Sequence, residues 1–249
     1  MSDKHIDAYN AKSDKPGIFG QAEQLLRKFK QLSFILFVLF VAILFITIVS
    51  LCITPSILLY LTIAPHLTHL PTIILAFSYA LLTTLCYFTY GLSSLIIIPI
   101  FYHLNPLKPK PFRGPWFSLE TMSWYFYNAL LYIPRYTFLP FITPTPLLNF
   151  FYKMMGMKIG KNTIINTFNI SDACMITLGD KVVIGGSATL FAHYGQKGYL
   201  VIAPVIIEDE VNIGLKASIM GDVHIGKGAF ISAHTVVYPK SRIAPGAKV

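Results

Sequence analysis

The sequence predicts a chain of mixed fold class: an apolar α-helical hairpin of membrane-spanning length, followed by a coil of short parallel strands. Three observations carry this. No Asp, Glu, Lys or Arg occurs across the 77 residues from 31 to 107. β-Branched aliphatic residues recur at a spacing of six from Ile207 to Val249. Between these two regions, residues 105–156 are crowded with proline and aromatic side chains. The whole chain of 249 residues is 54% hydrophobic and 12% charged, whereas an ordinary soluble domain is about a quarter charged. That composition excludes a purely soluble globular protein, and a charge-free run of this length excludes a disordered one.

Residues 1–30 read as a polar, cytoplasm-facing lead: a disordered tail over 1–16, then a short basic amphipathic helix over 21–30 (QAEQLLRKFK). The apolar stretch that follows is too long and starts too late for a signal peptide, and no small-residue cleavage motif stands in the expected place. Residues 31–107 form the hairpin. The stretches 32–64 and 72–104 each exceed the roughly 20 residues a helix needs to cross a bilayer. Pro55 and Pro99 are the candidate kinks or ends, and a break at Pro55 would raise the count of spans to three or four. The joint over 65–71 carries no acid or base, while Arg27, Lys28 and Lys30 precede the hairpin and Lys108, Lys110 and Arg113 follow it. The positive-inside tendency then puts both ends of the chain and everything after the hairpin in the cytoplasm, with the cytoplasmic membrane as the location. The same placement assigns the net charge of +9 to anionic lipid headgroups rather than to nucleic acid.

Residues 108–156 connect the hairpin to the coil. They carry both tryptophans, Trp116 and Trp124, with Tyr125, Phe126, Tyr127, Tyr132 and Tyr136. Two readings stand side by side: short interfacial helices at headgroup level, one over residues 119–131, or a buried aromatic core under the next domain. Three widely spaced cysteines, Cys52, Cys86 and Cys174, give neither a disulfide framework nor a CxxC metal site and suit a reducing compartment.

Residues 157–249 hold the repeat. Ile207, Ile213, Ile219, Ile225, Ile231, Val237, Ile243 and Val249 stand six apart, and four residues after each of the first seven come Val211, Ala217, Val223, Ala229, Thr235, Ser241 and Ala247. Six is not a helical period, and a flat strand has no use for glycine directly after the aliphatic position, as at Gly214 and Gly226. Three such hexads make one triangular turn in which aliphatic residues stack on their counterparts one turn away. The spacing returns in shifted phase at Leu178, Ile184 and Leu190, and more weakly at Ile159 and Ile165. Two interruptions separate the phases, one near 171–176 and a larger one between His193 and Ile206.

The stretch VNIGLKASIMGDVHIGKGAFISAHTVV, residues 211–237, closely resembles the hexapeptide-repeat acyltransferases, and the resemblance covers about residues 157–249. It implies a left-handed parallel β-helix, transfer of an acetyl or other short acyl group from acyl-CoA to a hydroxyl or amine, a homotrimer, and no metal. The lead-in TPLLNFFYKMMGMKIG, residues 145–160, looks like that of membrane-associated members, including terminal domains of certain nonribosomal peptide synthetases.

Acyl transfer needs a base for the acceptor proton, and histidine suits that near neutral pH. His193 ends a repeat-phased stretch and begins the out-of-frame segment 194–204, where a loop can leave the coil; in the family the catalytic histidine occupies this place. Asp172 lies 21 residues earlier, near one 18-residue turn, in a run resembling an acidic motif of some members. It either orients the imidazole or forms a turn. His224 and His234 fall within the regular repeat and read as solvated or corner side chains. By the resemblance, acetyl-CoA lies in a groove between subunits and contacts backbone at positions matching Leu215 and Ala233. Tyr238-Pro239-Lys240 stands where a Thr-Lys pair is usual, and the closing Gly-x-Pro-Ala segment is missing before Val249; the end is read as either truncated or capped otherwise. The histidine spacing does not match the metal ligands of β-helical carbonic anhydrases. Anchoring points to a membrane-linked or glycan-type acceptor among membrane lipids. The rival functions are a carrier-protein-dependent peptide or acyl transferase and a non-catalytic β-helix scaffold.

Overall fold

A computed structural model describes residues 12, 13 and 15–249. The expected tail over 1–16 and the position of Ser2 therefore lie largely outside the described residues. Helix α1 (Gly17–Lys28) starts four residues before the expected amphipathic segment. It does more than present a basic face: its buried Glu23 pairs with Arg27 and with Lys15 at 2.7 Å, and Lys15 also reaches Glu120 at 2.6 Å. The helix is thus tied to the connector by an ionic cluster.

Helices α2 (Lys30–Ile63) and α3 (Thr72–Leu104) form an antiparallel pair joined by the short link 64–71. Ser56 and Cys86 lie side by side, with the Ser56 hydroxyl donating to the Cys86 carbonyl at 2.6 Å. Pro55 and Pro99 sit inside these helices without ending either, so the additional break considered at Pro55 does not occur. A proline removes one backbone hydrogen bond, and the turns on either side carry the helix through. Both helices are long and apolar enough to cross a membrane. Their threonines turn inward on the backbone: Thr47, Thr54, Thr62, Thr83, Thr84 and Thr89 each donate to the carbonyl four residues earlier. That leaves few polar groups seeking a partner on a surface lined by exposed Phe40, Ile46, Ile73 and Phe77.

The connector contains β1 (Phe112–Pro115), α4 (Leu119–Thr137), α5 (Leu139–Ile142) and α6 (Pro146–Met154). Ser118 caps α4, accepting from the Thr121 N–H at 3.3 Å. The helix runs six residues beyond the expected end at 131, through Pro134, because Leu131, Ile133 and Pro134 are all buried on its inner side. The buried-core reading of the aromatic segment holds for one face, and the other face is open. Tyr127, Phe138, Phe151 and Tyr152 are buried, while Tyr125, Tyr132 and Tyr136 are exposed. Phe138 lies so close over Gly91 of α3 that a Cβ there would come within 2.1 Å of its ring. A single core runs from Ile48 and Ile98 of the hairpin through the connector to Val237 of the coil.

The coil has three parallel sheets visited in rotation. Strands β2 (Lys158–Ile159), β4 (Ile176–Leu178), β9 (Val205–Ile207), β12 (Val223–Ile225) and β15 (Arg242–Ile243) form the first. Strands β3 (Ile164–Ile165), β5 (Val183–Ile184), β10 (Asn212–Ile213) and β13 (Phe230–Ile231) form the second. Strands β6 (Thr189–Leu190), β11 (Ser218–Ile219) and β14 (Val236–Val237) form the third. Register shows the repeat and its two breaks. Ile207, Ile225 and Ile243 align 18 residues apart. Ile159 aligns with Leu178, a turn of 19, and Leu178 with Ile207, a turn of 29. The one-residue excess is taken up around the 3-10 turn Ala173–Met175. The eleven-residue excess is the hairpin of β7 (His193–Gln196) and β8 (Tyr199–Ile202). β8 also pairs antiparallel with β1, which makes a three-stranded flap.

The aliphatic positions from Ile207 to Val237 are at most 3% exposed. Ile243 is only half-buried and Val249 is exposed. Gly214 is required by close approach: a Cβ there would stand 2.5 Å from the Ala233 nitrogen one turn on. Replacing fully buried Ile225 by Asp places an unpaired charge in this column, at a cost of about 3–5 kcal/mol. Thermal denaturation of I225D should therefore show a strongly lowered midpoint, and a variant as stable as the parent would contradict the inward stacking.

Candidate active site

The two breaks in the repeat meet. Asp172 precedes the 3-10 turn with left-handed backbone angles of φ 54° and ψ 37°, and its side chain is 1% exposed. Burying a carboxylate requires that its oxygens be hydrogen-bonded, and four donors do this. Oδ1 accepts from Trp124 Nε1 and from Asn128 Nδ2, both at 2.7 Å. Oδ2 accepts from the Ala192 backbone N–H at 2.9 Å and from His193 Nδ1 at 2.5 Å. Asn128 returns a bond, its Oδ1 accepting from the Asp172 backbone N–H at 3.2 Å. The turn-forming and imidazole-orienting readings of Asp172 are therefore compatible in one residue.

An ionised carboxylate only accepts, so the network assigns the proton to His193 Nδ1. The Nε2 lone pair is left for chemistry. The His193 side chain is 27% exposed, with Trp124 edge-on at 4.9 Å and Phe191 at 5.6 Å between ring centroids. Trp124 and Asn128 were not singled out in the sequence. Their four-residue spacing on a helix puts both on one face, and that Trp-x-x-x-Asn spacing is the signal that could have found them.

A thiol stands nearby. Cys174 lies two residues beyond Asp172, and burial pushes its thiol up to about 12, with the Tyr127 hydroxyl opposing the shift and the charge of Asp172 adding to it. Only a thiolate attacks, so this sulfur stays inert at neutral pH. Tyr127 itself is raised well above the ordinary phenol range by burial. It remains protonated and donates to the Met155 carbonyl at 2.8 Å.

The remaining candidates lie elsewhere. His224 Nε2 meets Glu208 Oε1 at 2.7 Å on a half-exposed face. The Glu208 carboxyl is held below the ordinary range, first by the Lys227 backbone N–H and then by His224. His234 is exposed at a corner with φ 62°. These are the solvated and corner positions expected. Leu215 and Ala233 stand at one corner on successive turns, and the Leu215 carbonyl accepts from the His234 N–H at 2.8 Å. The following strand β11 leads to Gly221, whose Cβ would meet the His193 nitrogen at 2.9 Å. Leu215 and Gly221 are at most about 20 Å apart by six residues of extended chain, so Leu215 and His193 lie towards opposite ends of one coil face. Among the described residues, no group of three or more His, Cys, Asp or Glu could hold a metal ion.

The chain is similar to known proteins over part of its length. It is 36% identical over 113 residues to YvoF of Bacillus subtilis, a protein named as a candidate acetyltransferase, covering 44% of this chain and 63% of YvoF. It is 31% identical to the hexapeptide-repeat acetyltransferase VCA0836 of Vibrio cholerae, solved with acetyl coenzyme A. That match covers 38% of this chain and 55% of the other, with a TM-score of 0.34. Relatives of this chain are hexapeptide-repeat acetyltransferases. The chain spans less than two thirds of the length of either protein. A match of 23% over 160 residues joins it to the delta-poly-L-ornithine synthetase of Acinetobacter baumannii, covering 62% of this chain and 12% of that protein. No family model matches.

The inertness of Cys174 is directly measurable. Iodoacetamide at pH 8 should leave Cys174 unmodified in the folded protein and alkylate it after denaturation, as read by peptide mass spectrometry. Rapid alkylation in the folded state would refute the raised thiol pKa.

Proposed function

We propose that this chain is a membrane-anchored acyltransferase that moves an acetyl group from acetyl-CoA to a hydroxyl or amine of a membrane-linked acceptor. The observation that carries it is the Asp172–His193 pair, with Nδ1 bound to a buried carboxylate and Nε2 free. His193 Nε2 takes the acceptor proton as the acceptor oxygen or nitrogen attacks the thioester carbonyl. A new C–O or C–N bond forms, the C–S bond breaks, and the imidazolium returns the proton to the departing thiolate. Asp172 holds the imidazole in the useful tautomer and balances its charge while it is protonated. The coil is read as left-handed and the active form as a trimer, with acetyl-CoA in a groove between neighbouring coils, from the Leu215 and Ala233 corner to His193. Exposed Ile164 and Val183 stand side by side on one outward column of the second sheet, which continues through Asn212 to Phe230, and this partly apolar column is the surface offered for that association.

Anchoring follows from the two long apolar helices with exposed aliphatic surface and from the basic residues at both outer flanks. Anchoring has most value when the acceptor shares the membrane. A second reading, a transferase fed by a carrier protein during peptide synthesis, draws on the delta-poly-L-ornithine synthetase match. Its 160 residues exceed the length of the coil and so reach into the connector. Supplying purified protein with acetyl-CoA or with an acyl-loaded carrier protein separates the two.

His193→Ala should lower transfer by about 100-fold to 10,000-fold while leaving the coil folded. Asp172→Asn should cost less, and His224→Ala and His234→Ala little. Comparative mass spectrometry of lipids and glycans from cells carrying each form provides the readout. Full activity in H193A would favour a scaffold. For topology, a reporter fused after Val249 should be active only in its cytoplasmic form, and an external reporter would remove the active site from coenzyme A.

A further inference from the structure

The chain contains two tryptophans, and both line one cavity of about 380 Å³. Phe117, Met122 and Tyr125 of the connector supply most of the remaining wall, and Phe34 closes it from the other side. Phe34 is the fifth residue of α2, about 6 Å along the axis from Lys30. It therefore stands beside the basic residues that mark the membrane surface. The Tyr125 ring meets Phe34 and Phe37 at 6.3 and 5.7 Å, which fixes the connector against this end of the hairpin.

The walls offer little to a polar ligand. The Thr121 hydroxyl is shared with Ser118 at 2.9 Å and the Pro115 carbonyl at 3.3 Å. Trp124 gives its N–H to Asp172. A sugar or a free amino acid placed here would lose its hydration without compensation, whereas a hydrocarbon chain would not. The volume falls within the range of about 300–1,000 Å³ common for ligand pockets. The cavity borders the candidate active site across a single side chain, Trp124. Trp124 forms its inner wall and touches His193, and a smaller chamber of about 130 Å³ that shares Trp124 and Tyr125 extends to Asn128, which holds Asp172.

We propose that this cavity seats the apolar chain of the acceptor, a single alkyl or isoprenoid chain that enters from the membrane between α2 and α4. Its terminal hydroxyl or amine then passes the edge of Trp124 to reach His193 Nε2. The inference rests on the acyl-transfer reading of His193 and adds to it the chemical class of the acceptor and the place where it binds.

The two tryptophans make binding measurable apart from turnover. The full chain in phosphatidylcholine nanodiscs is titrated with 11-bromoundecan-1-ol, whose bromine quenches indole fluorescence on contact. Quenching should saturate in the parent and at the same midpoint in His193→Ala. Met122→Asp, which puts a charge in the wall, should raise the midpoint at least tenfold. Met122→Phe, a milder change that fills space, should weaken the undecanol more than 6-bromohexan-1-ol. In transfer assays with acetyl-CoA and unbrominated alcohols from hexanol to dodecanol, KM should fall by up to about fourfold per added methylene, with kcat nearly constant. Quenching that never saturates, or that is identical in the parent and both Met122 variants, overturns the proposal. So does transfer with the same KM for hexanol and dodecanol, which would leave the acyl-transfer reading standing. Saturable quenching without transfer to any alcohol supports the chain site and overturns the acyl-transfer reading instead.

Discussion

The buried carboxylate of Asp172 is the constraint around which the functional half of the molecule is arranged. A charge at 1% exposure needs all its oxygen lone-pair directions served, and no single element can do that. Trp124 and Asn128 come from the connector, Ala192 and His193 from the coil. Satisfying one side chain therefore locks α4 against the first turns of the coil and orients the imidazole in the same act. The residues that look like second-rank support are the reason the histidine has a defined tautomer.

The coil contributes by failing at two points. A strict 18-residue turn stacks aliphatic side chains and presents nearly identical corners, which leaves no recess for a reaction. One added residue near Asp172 and eleven after His193 change the turns to 19 and 29. The chain nevertheless returns to register, with Leu190 beside Ile219 beside Val237. The hydrophobic column is continuous across the gap, so the irregular segments are carried by a scaffold that is regular above and below them.

Much of this was legible in the sequence because it is periodic. Ile207 to Val237 announce the coil by spacing alone, the absence of charge from 31 to 107 marks the two helices, and loss of phase flags His193. What was not legible depends on contacts between distant segments. Nothing near Phe112 shows that it will add a strand to a hairpin some 90 residues later. The four-residue spacing of Trp124 and Asn128 puts them on one helix face but does not name their partner in the coil, since a tertiary hydrogen bond leaves no mark on the distant segment. The aromatic connector was ambiguous for a physical reason: an amphipathic aromatic helix suits a core on one face and a headgroup region on the other, and Tyr127 is buried while Tyr125, two residues earlier, is exposed. Of the alternatives left open at Pro55, the continuous helix is the one found, since proline inside a long helix costs one hydrogen bond and need not end it.

The flap that carries His193 has its second strand hydrogen-bonded on both sides, to β7 and to β1. Separating it from the connector would break a ladder of four residue pairs as well as the aromatic contacts beneath it. The conformational entropy of ordering this segment is therefore lost once, when the protein folds, and not again at each encounter with a substrate. In the acyl transfer proposed above, an imidazole held in this way is ready before either substrate arrives, and binding energy from the thioester and the acceptor remains for bringing their reacting atoms together.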